Sequence, residues 1–307
     1  MLAIRNLVYR YRDAPQAALS GVSLTAARGQ VLGLLGPNGA GKTTFISHLS
    51  GLLPIQEGDI SINGEALAHV RKHTPARIAV APQDYAFYPM LTVEENLQCF
   101  AAAGRIGKSK IRQRVAACIA FAQLERFATA RAEHLSGGLK RRLNLAIALL
   151  PEPELILFDE ATVGVDPQSR AFILDAVKTL ADKGAAVIYT SHYMEEIEAI
   201  ADRVVILDHG KVLRDGTLAA LLDEGAAQLQ LSVDEIDHSK LADLLASFGA
   251  LRSQHDNCIV TLNPGQTPGP VLAAVEAAGG RIRHAKFGHY NLEQLFMSLT
   301  QRSLRDT

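Results

Sequence analysis

The chain has 307 residues, 48% of them hydrophobic, and a formal net charge of −1. That supplies core for one large or two modest domains; it excludes wholesale disorder and any global attraction to nucleic acid or anionic lipid. Cys99, Cys118 and Cys258 lie far apart with no C-x-x-C spacing, which argues for a reducing compartment and against a disulfide framework or zinc site. The start Met1-Leu2-Ala3-Ile4-Arg5-Asn6 lacks a secretory pattern. The best apolar stretch, Leu143 to Phe158, is broken by Pro151, Glu152, Pro153 and Glu154, short of the roughly 20 residues a membrane span needs. The expectation is a soluble, cytosolic protein whose membrane role, if any, comes through a partner.

In chain order, residues 1–30 alternate apolar and polar positions around Leu2, Ile4, Leu7, Val8, Leu19, Val22 and Leu24, predicting antiparallel strands. Val31–Leu35 is a short apolar run, consistent with a buried parallel strand. It runs into Gly36-Pro37-Asn38-Gly39-Ala40-Gly41-Lys42-Thr43 and then a helix with Phe45, Ile46 and Leu49 on one face. Ile60–Ile62 and Ile78–Ala81 read as further strands. From Thr92, whose spacing to Glu95 makes a capping box, residues 90–150 read as an all-helical insertion. Ile111, Val115, Cys118 and Ala122 recur there at helical spacing, as do Leu139, Leu143 and Leu150. Strand character resumes at Leu155–Phe158. Asp166 and Pro167 open a helix as N-cap and first residue, with Gly184 beyond its end. Ala186–Thr190 is a strand, and Asp208-His209-Gly210 joins Val204–Leu207 to Lys211–Leu213 as a hairpin.

After about residue 225 the texture changes. Strand-like Gln228–Val233, helix-like Leu241–Phe248, strand-like Cys258–Leu262, helix-like Val271–Ala278 and strand-like Arg281–Lys286 alternate, punctuated by Pro264-Gly265 and Pro268-Gly269. The expected organisation is one domain over 1–224 and a small α+β domain over 225–307.

Gly36–Thr43 fits G-x-x-x-x-G-K-[ST], a loop whose N–H groups wrap nucleotide phosphates. Helix onset at Lys42 adds a positive dipole end. Lys42 would bridge the terminal phosphates and the Thr43 hydroxyl would ligate Mg²⁺. The strand Leu155–Phe158 delivers Asp159 for the Mg²⁺ shell and Glu160 as the base that orients water. Lys42 upstream favours this over a plain acidic cap. These residues together specify cleavage of ATP or GTP. Gln83, after Pro82, suits a metal-linked sensor or an ordinary turn, and His192 stands where an open α/β sheet contacts ligand or merely caps a helix. Ser136 can cap a helix that begins Gly137-Gly138, giving a second anion-binding end that could meet the first across two protomers, or simply a well-capped helix. The basic run Arg105, Lys108, Lys110, Arg112 and Arg114 reads as a solvated face or a contact for a membrane surface or an acidic partner loop.

Gly36–Thr43, Gln83, Leu135–Gly138, Leu155–Glu160, Asp166 and His192 resemble, in order and spacing, the motif set of the ATP-binding-cassette (ABC) transporter ATPases over residues 2–220. The resemblance implies a P-loop NTPase fold: a RecA-like α/β core with an antiparallel β subdomain and a helical insertion, here followed by the α+β domain. It implies ATP and Mg²⁺ as cofactors. The nucleotide would be held by Tyr11, Gly36, Pro37, Asn38, Gly39, Ala40, Gly41, Lys42, Thr43 and Thr44, and the metal by Thr43, Gln83 and Asp159. Glu160, His192 and Gln83 would be catalytic; Ser136, Gly137 and Gly138 would act on the partner's nucleotide; Asp166 would communicate across the dimer. Tyr9 competes with Tyr11 for adenine stacking. Leu139 and Ala161 replace the usual Gln and Pro without removing a catalytic group. Gly138–Pro153, Thr162–Pro167 and the tail Asn291–Asp306 are similar to the ABC-2-type exporter branch. The implied partners are a second ATPase subunit, expected to be a copy of this chain, and an integral-membrane permease that holds it at the inner face of the membrane; no nucleic acid is expected. The rivals are a soluble ABC ATPase acting on ribosome or DNA, which usually carries two cassettes or long coiled coils, and a ligand-sensing role for residues 225–307.

Overall fold

Alternating burial builds β1 (Leu2–Tyr9) and β2 (Leu19–Ala26), and an unbroken apolar run builds β3 (Gln30–Leu35), a strand buried on both faces. In this computed structural model, which describes residues 1–223, 228–254, 257–263, 266–288 and 291–300, the chain continues through α1 (Lys42–Ser50), β4 (Glu57–Ile62), β5 (Glu65–Ala66), α2 (Leu67–His73) and β6 (Ile78–Ala81). Helices α3 (Val93–Ala103), α4 (Lys108–Phe121) and α5 (Gly137–Leu149) follow. Then come β7 (Leu155–Asp159), α6 (Pro167–Asp182), β8 (Ala186–Ser191), α7 (Met194–Ile200), β9 (Arg203–Asp208) and β10 (Lys211–Thr217).

The first compact unit runs from Met1 to Leu218. Its main sheet has the order β10-β9-β3-β8-β7-β6, parallel except for the antiparallel edge strand β10. A second, antiparallel sheet has the order β2-β1-β4-β5. One core joins the two sheets, with Phe45, Ile46 and Leu49 of α1 packed among Leu2, Leu24, Ile62, Leu32 and Leu34. Burying each such side chain contributes about 1.5–3 kcal/mol, so α1 is fixed by one face while its N-terminus stays free for the loop before it. β3, β8, β7 and β6 are parallel neighbours, so their carboxyl ends bring Gly36, His192, Asp159 with Glu160, and Gln83 to one sheet edge.

The capping box of α3 is complete: the Glu95 N–H donates to Thr92 Oγ1 at 3.2 Å and the Thr92 N–H to Glu95 Oε2 at 2.7 Å. Arg114 of the basic run turns inward. It donates to Leu149 O at 2.7 Å and Leu150 O at 3.1 Å and pairs with Glu152 at 2.8 Å, satisfying carbonyls at the end of α5 instead of joining an outward-facing stripe.

A second unit begins at Ala219, and α8 (Leu218–Asp223) spans the junction. Its elements are β11 (Gln228–Asp234), α9 (His238–Ala246), β12 (Gly249–Gln254), β13 (Asn257–Leu262), α10 (Pro268–Ala277), β14 (Arg281–Gly288) and α11 (Leu292–Thr300). The antiparallel order β12-β13-β11-β14 makes this the β-α-β-β-α-β arrangement of ferredoxin-like folds. Leu229, Leu231, Leu241, Leu245, Val260 and Val271 form its core. The expected helix Leu241–Phe248 starts earlier, because the Asp237 carboxylate accepts the N–H groups of Ser239 at 2.8 Å and Lys240 at 3.4 Å. β12 was not anticipated. The expected junction at 224/225, Pro264-Gly265 and residues 301–306 of the tail motif lie outside the described residues.

Candidate nucleotide-binding and hydrolysis site

The loop between β3 and α1 is shaped by its own bonds. The Ala40 N–H donates to Pro37 O at 3.1 Å, and Gly210 of the β9–β10 turn donates to Ala40 O at 3.0 Å, bracing the loop from behind. Gly41 has φ +106°, and a Cβ there would stand 2.6 Å from Ala18 O, so only glycine fits. Lys42 is 5% exposed. Its Nζ donates to Gly36 O at 2.7 Å and Pro37 O at 3.2 Å and lies 3.8 Å from Glu160 Oε1. Burial lowers its pKa, opposed by the charges of Glu160 and Asp159.

A cleft of about 380 Å³ is lined by Tyr11, Ala18, Pro37, Asn38, Gly39, Gly41, Lys42, Thr43, Thr44, Gln83 and Glu160. Tyr11 is 44% exposed, and its hydroxyl lies 3.2 Å from Thr44 Oγ1. Tyr9, by contrast, is 7% exposed and packs edge-on against both Tyr11 and His48. Tyr11 therefore presents its ring to the cleft, and Tyr9 belongs to the core behind it.

Asp159 and Glu160 diverge in environment. Burial raises the Asp159 pKa, partly offset by the hydrogen bond from Thr190 Oγ1 at 2.9 Å. Glu160 sits at φ +47°, and its N–H donates to Thr190 O at 3.2 Å and Thr190 Oγ1 at 3.1 Å. A non-glycine residue in that region is held by its surroundings, and here the holding group is Thr190. The turn aims the Glu160 carboxylate into the cleft, and His192, which does not itself line that cleft, has its Nδ1 3.6 Å from Glu160 Oε2. The donor set near the loop is one hydroxyl (Thr43), one amide oxygen (Gln83) and one carboxylate (Asp159). Thr43 borders both the cleft with Gln83 and the adjoining one with Asp159. Few, hard oxygen donors beside a phosphate loop fit Mg²⁺. No group of three or more His, Cys, Asp or Glu able to hold a metal occurs among the described residues.

Ser136 caps α5, accepting the Leu139 N–H at 3.4 Å. Neither Ser136 nor Gly137 nor Gly138 lines the cleft of the same chain. Gly138 is buried against α6, where a Cβ would come within 2.6 Å of Ser169 Cβ and 2.9 Å of Asp166 Oδ2. Asp166 accepts the Ser169 N–H at 2.9 Å and its hydroxyl at 2.7 Å, which lowers the carboxyl pKa.

Two residues had no assigned role from the sequence. Thr190 reads in the sequence only as the last residue of the strand Ala186–Thr190. Arg141 donates to Gln83 O, to Pro82 O at 3.3 Å and to Val163 O at 3.2 Å. It joins α5 to the Gln83 loop and to the segment after Glu160. No local pattern marks such a link.

The ABC transporter family profile matches residues 19–163. The chain is 35% identical to the linearmycin resistance ATP-binding protein LnrL of Bacillus subtilis over 322 residues, covering 100% of each. It is 35% identical to the Nod factor export ATP-binding protein I of Cupriavidus pinatubonensis, covering 100% of this chain and 92% of that one. Among solved structures it is similar to an ATP-binding subunit of an ABC transporter (TM-score 0.66, 32% identity, 73% of this chain and 92% of that one). It is also similar to a dimeric ATP-binding cassette in a post-hydrolysis state bound to ADP and Pi (TM-score 0.63, 27% identity, 71% of this chain and 99% of that one).

Proposed function

The chain belongs to the ABC transporter ATP-binding family and is an ATPase, and from that premise we propose that it energises an ABC-2-type exporter by ATP-driven closure of a homodimer on a separate membrane permease. One observation carries the dimer: the cleft holds the phosphate loop, Gln83 and Glu160, while the capped α5 N-terminus at Ser136 is exposed and outside it. A second protomer supplies that missing wall. The dimeric relative supports the same reading, as do relatives named for export and for resistance.

In this account the loop N–H groups and the α1 dipole bind the phosphates, Lys42 offsets their charge, and Tyr11 stacks on adenine. Thr43, Gln83 and Asp159 would hold Mg²⁺, which would supply charge neutralisation for the phosphates. Glu160 orients the attacking water, with His192 beside it, and Asp166 carries the state of one site to the other.

No helix among the described residues is long and apolar enough to cross a membrane. A cleft of about 400 Å³ has an apolar side formed by Ile46, Leu52, Val80, Pro82, Phe100 and Ile147 and a polar side that includes Thr43 and Asp159, and the exposed Tyr88 ring stacks on Phe100 at its wall. Apolar surface of this kind suits a protein partner, and docking there holds the subunit at the inner face of the membrane. Tyr88→Glu or Leu52→Glu should abolish co-purification with the co-expressed permease while the isolated chain keeps its ATPase rate. Undiminished co-purification of both variants, or stable residence of the native chain on ribosomes or DNA, would contradict the assignment.

A further inference from the structure

Glu196 of α7 is 2% exposed and outside the nucleotide cleft. Its Oε2 accepts three hydroxyls: Thr162 Oγ1 at 2.8 Å, Tyr189 OH at 2.9 Å and Ser191 Oγ at 2.7 Å. Its Oε1 faces the Arg170 guanidinium, with Nε at 3.3 Å but no aligned hydrogen bond between them. The Arg170 guanidinium also lies over the Tyr193 ring, 4.8 Å from its centre. The Tyr193 N–H donates to Ser191 Oγ at 2.9 Å, and the Arg170 N–H donates to Asp166 O at 2.9 Å.

The addresses of these partners give the cluster its meaning. Thr162 stands two residues after Glu160, Ser191 and Tyr193 flank His192, and Arg170 lies one helical turn after Asp166. One buried carboxylate thus ties together the three segments that carry the water-orienting acid, the histidine beside it and the residue facing the second protomer. Taking a carboxylate out of water is costly, and a well-packed apolar side chain would give comparable or better stability. A cluster of that cost is accounted for by the geometry it imposes.

We propose that Glu196, held by Arg170, is a positioning residue for ATP hydrolysis: it sets the separation of Glu160 and His192 without touching the nucleotide. Small misplacements of reacting groups are expensive in rate, whereas the phosphate loop lies on another strand and keeps its affinity.

The test uses the full chain, with Glu196→Gln, Arg170→Met, Arg170→Lys and the Glu196→Gln/Arg170→Met double variant. Steady-state ATPase kinetics, binding of a fluorescent ATP analogue and thermal unfolding are measured on each. For Glu196→Gln and Arg170→Met, kcat should fall by about ten- to a hundredfold. Analogue affinity should stay within about twofold of the native value, and the double variant should be no slower than the worse single one, because the pair acts as a unit. Arg170→Lys, which keeps the charge, should recover part of the loss. Should Glu196→Gln fail to fold, Arg170→Met, altering a half-exposed side chain, reads the same prediction. A native kcat in both single variants, multiplicative losses in the double variant, or a kcat loss tracked by equal losses of affinity and melting temperature would overturn the proposal.

Discussion

Thr190 Oγ1 donates to Asp159 Oδ1 at 2.9 Å and accepts the Glu160 N–H at 3.1 Å, so a single hydroxyl on β8 aligns both acids at the end of β7. The two residues face each other in the parallel register, Asp159 opposite Thr190. Thr190→Val keeps the shape and removes the donor. It leaves a buried carboxylate oxygen short of a partner, which costs about 1–3 kcal/mol. Urea unfolding should show that loss together with a reduced ATPase rate, while Thr190→Ser should stay near native in both.

Tyr9 and Tyr11 are separable. Stacking of a base on an aromatic ring is worth about 1–3 kcal/mol, so Tyr11→Ala should weaken ATP binding by roughly five- to 150-fold while the melting temperature stays near native. Tyr9→Ala removes a core ring packed on His48, and should cost about 3–5 kcal/mol of stability as a large-to-small core change does. Isothermal titration and thermal unfolding on the pair distinguish the roles.

The pH dependence of stability carries a sign. Burial raises the Asp159 pKa above its ordinary value of 3.8 in the folded chain. The folded state therefore binds the proton more tightly than the unfolded state, and the Asp159 contribution to stability declines as pH rises through the window above 3.8. Asp159→Asn, measured without nucleotide or metal, should be more stable than native protein at neutral pH. That advantage should shrink as pH falls toward the ordinary aspartate range, and its ATPase activity should be lost. Chemical unfolding of both proteins across this range gives the comparison.

Much of the site was legible because phosphate chemistry restricts residue type and spacing within short windows: Gly36–Thr43 and Asp159-Glu160 are contiguous, and each follows an apolar strand. The strand order was less so. That β8 lies between β3 and β7, bringing His192 to Glu160, depends on β3 pairing with a strand about 156 residues further on and on β7 pairing with that same strand about 31 residues on. Arg141 and Thr190 bond to partners on other elements, so nothing near them in the chain reports those links. β12, Gly249-Ala250-Leu251-Arg252-Ser253-Gln254, offers neither an apolar run nor clean alternation; its hydrogen bonds to β13 make it a strand.

Gly138 tests the packing of α5 on α6. Gly138→Val should crowd Ser169 and Asp166 of its own chain, at a cost of about 1–3 kcal/mol as in other overpacked sites. Gly137 has room, with the nearest atom to an added Cβ, Tyr85 Oη, at 3.5 Å. Gly137→Arg should therefore fold normally and fail only when two protomers close over ATP. Thermal unfolding and ATPase assays on the two variants separate these outcomes.

The shared-site account is tested most directly by sedimentation velocity of the Glu160→Gln protein, in which loss of the base should slow hydrolysis by about 10²–10⁴. With ATP and Mg²⁺ it should sediment as a dimer, return to monomer when nucleotide is removed, and remain monomeric throughout when Gly137→Arg is added. Monomers under every condition, or native protein hydrolysing ATP at full rate at dilutions where only monomers exist, would contradict it.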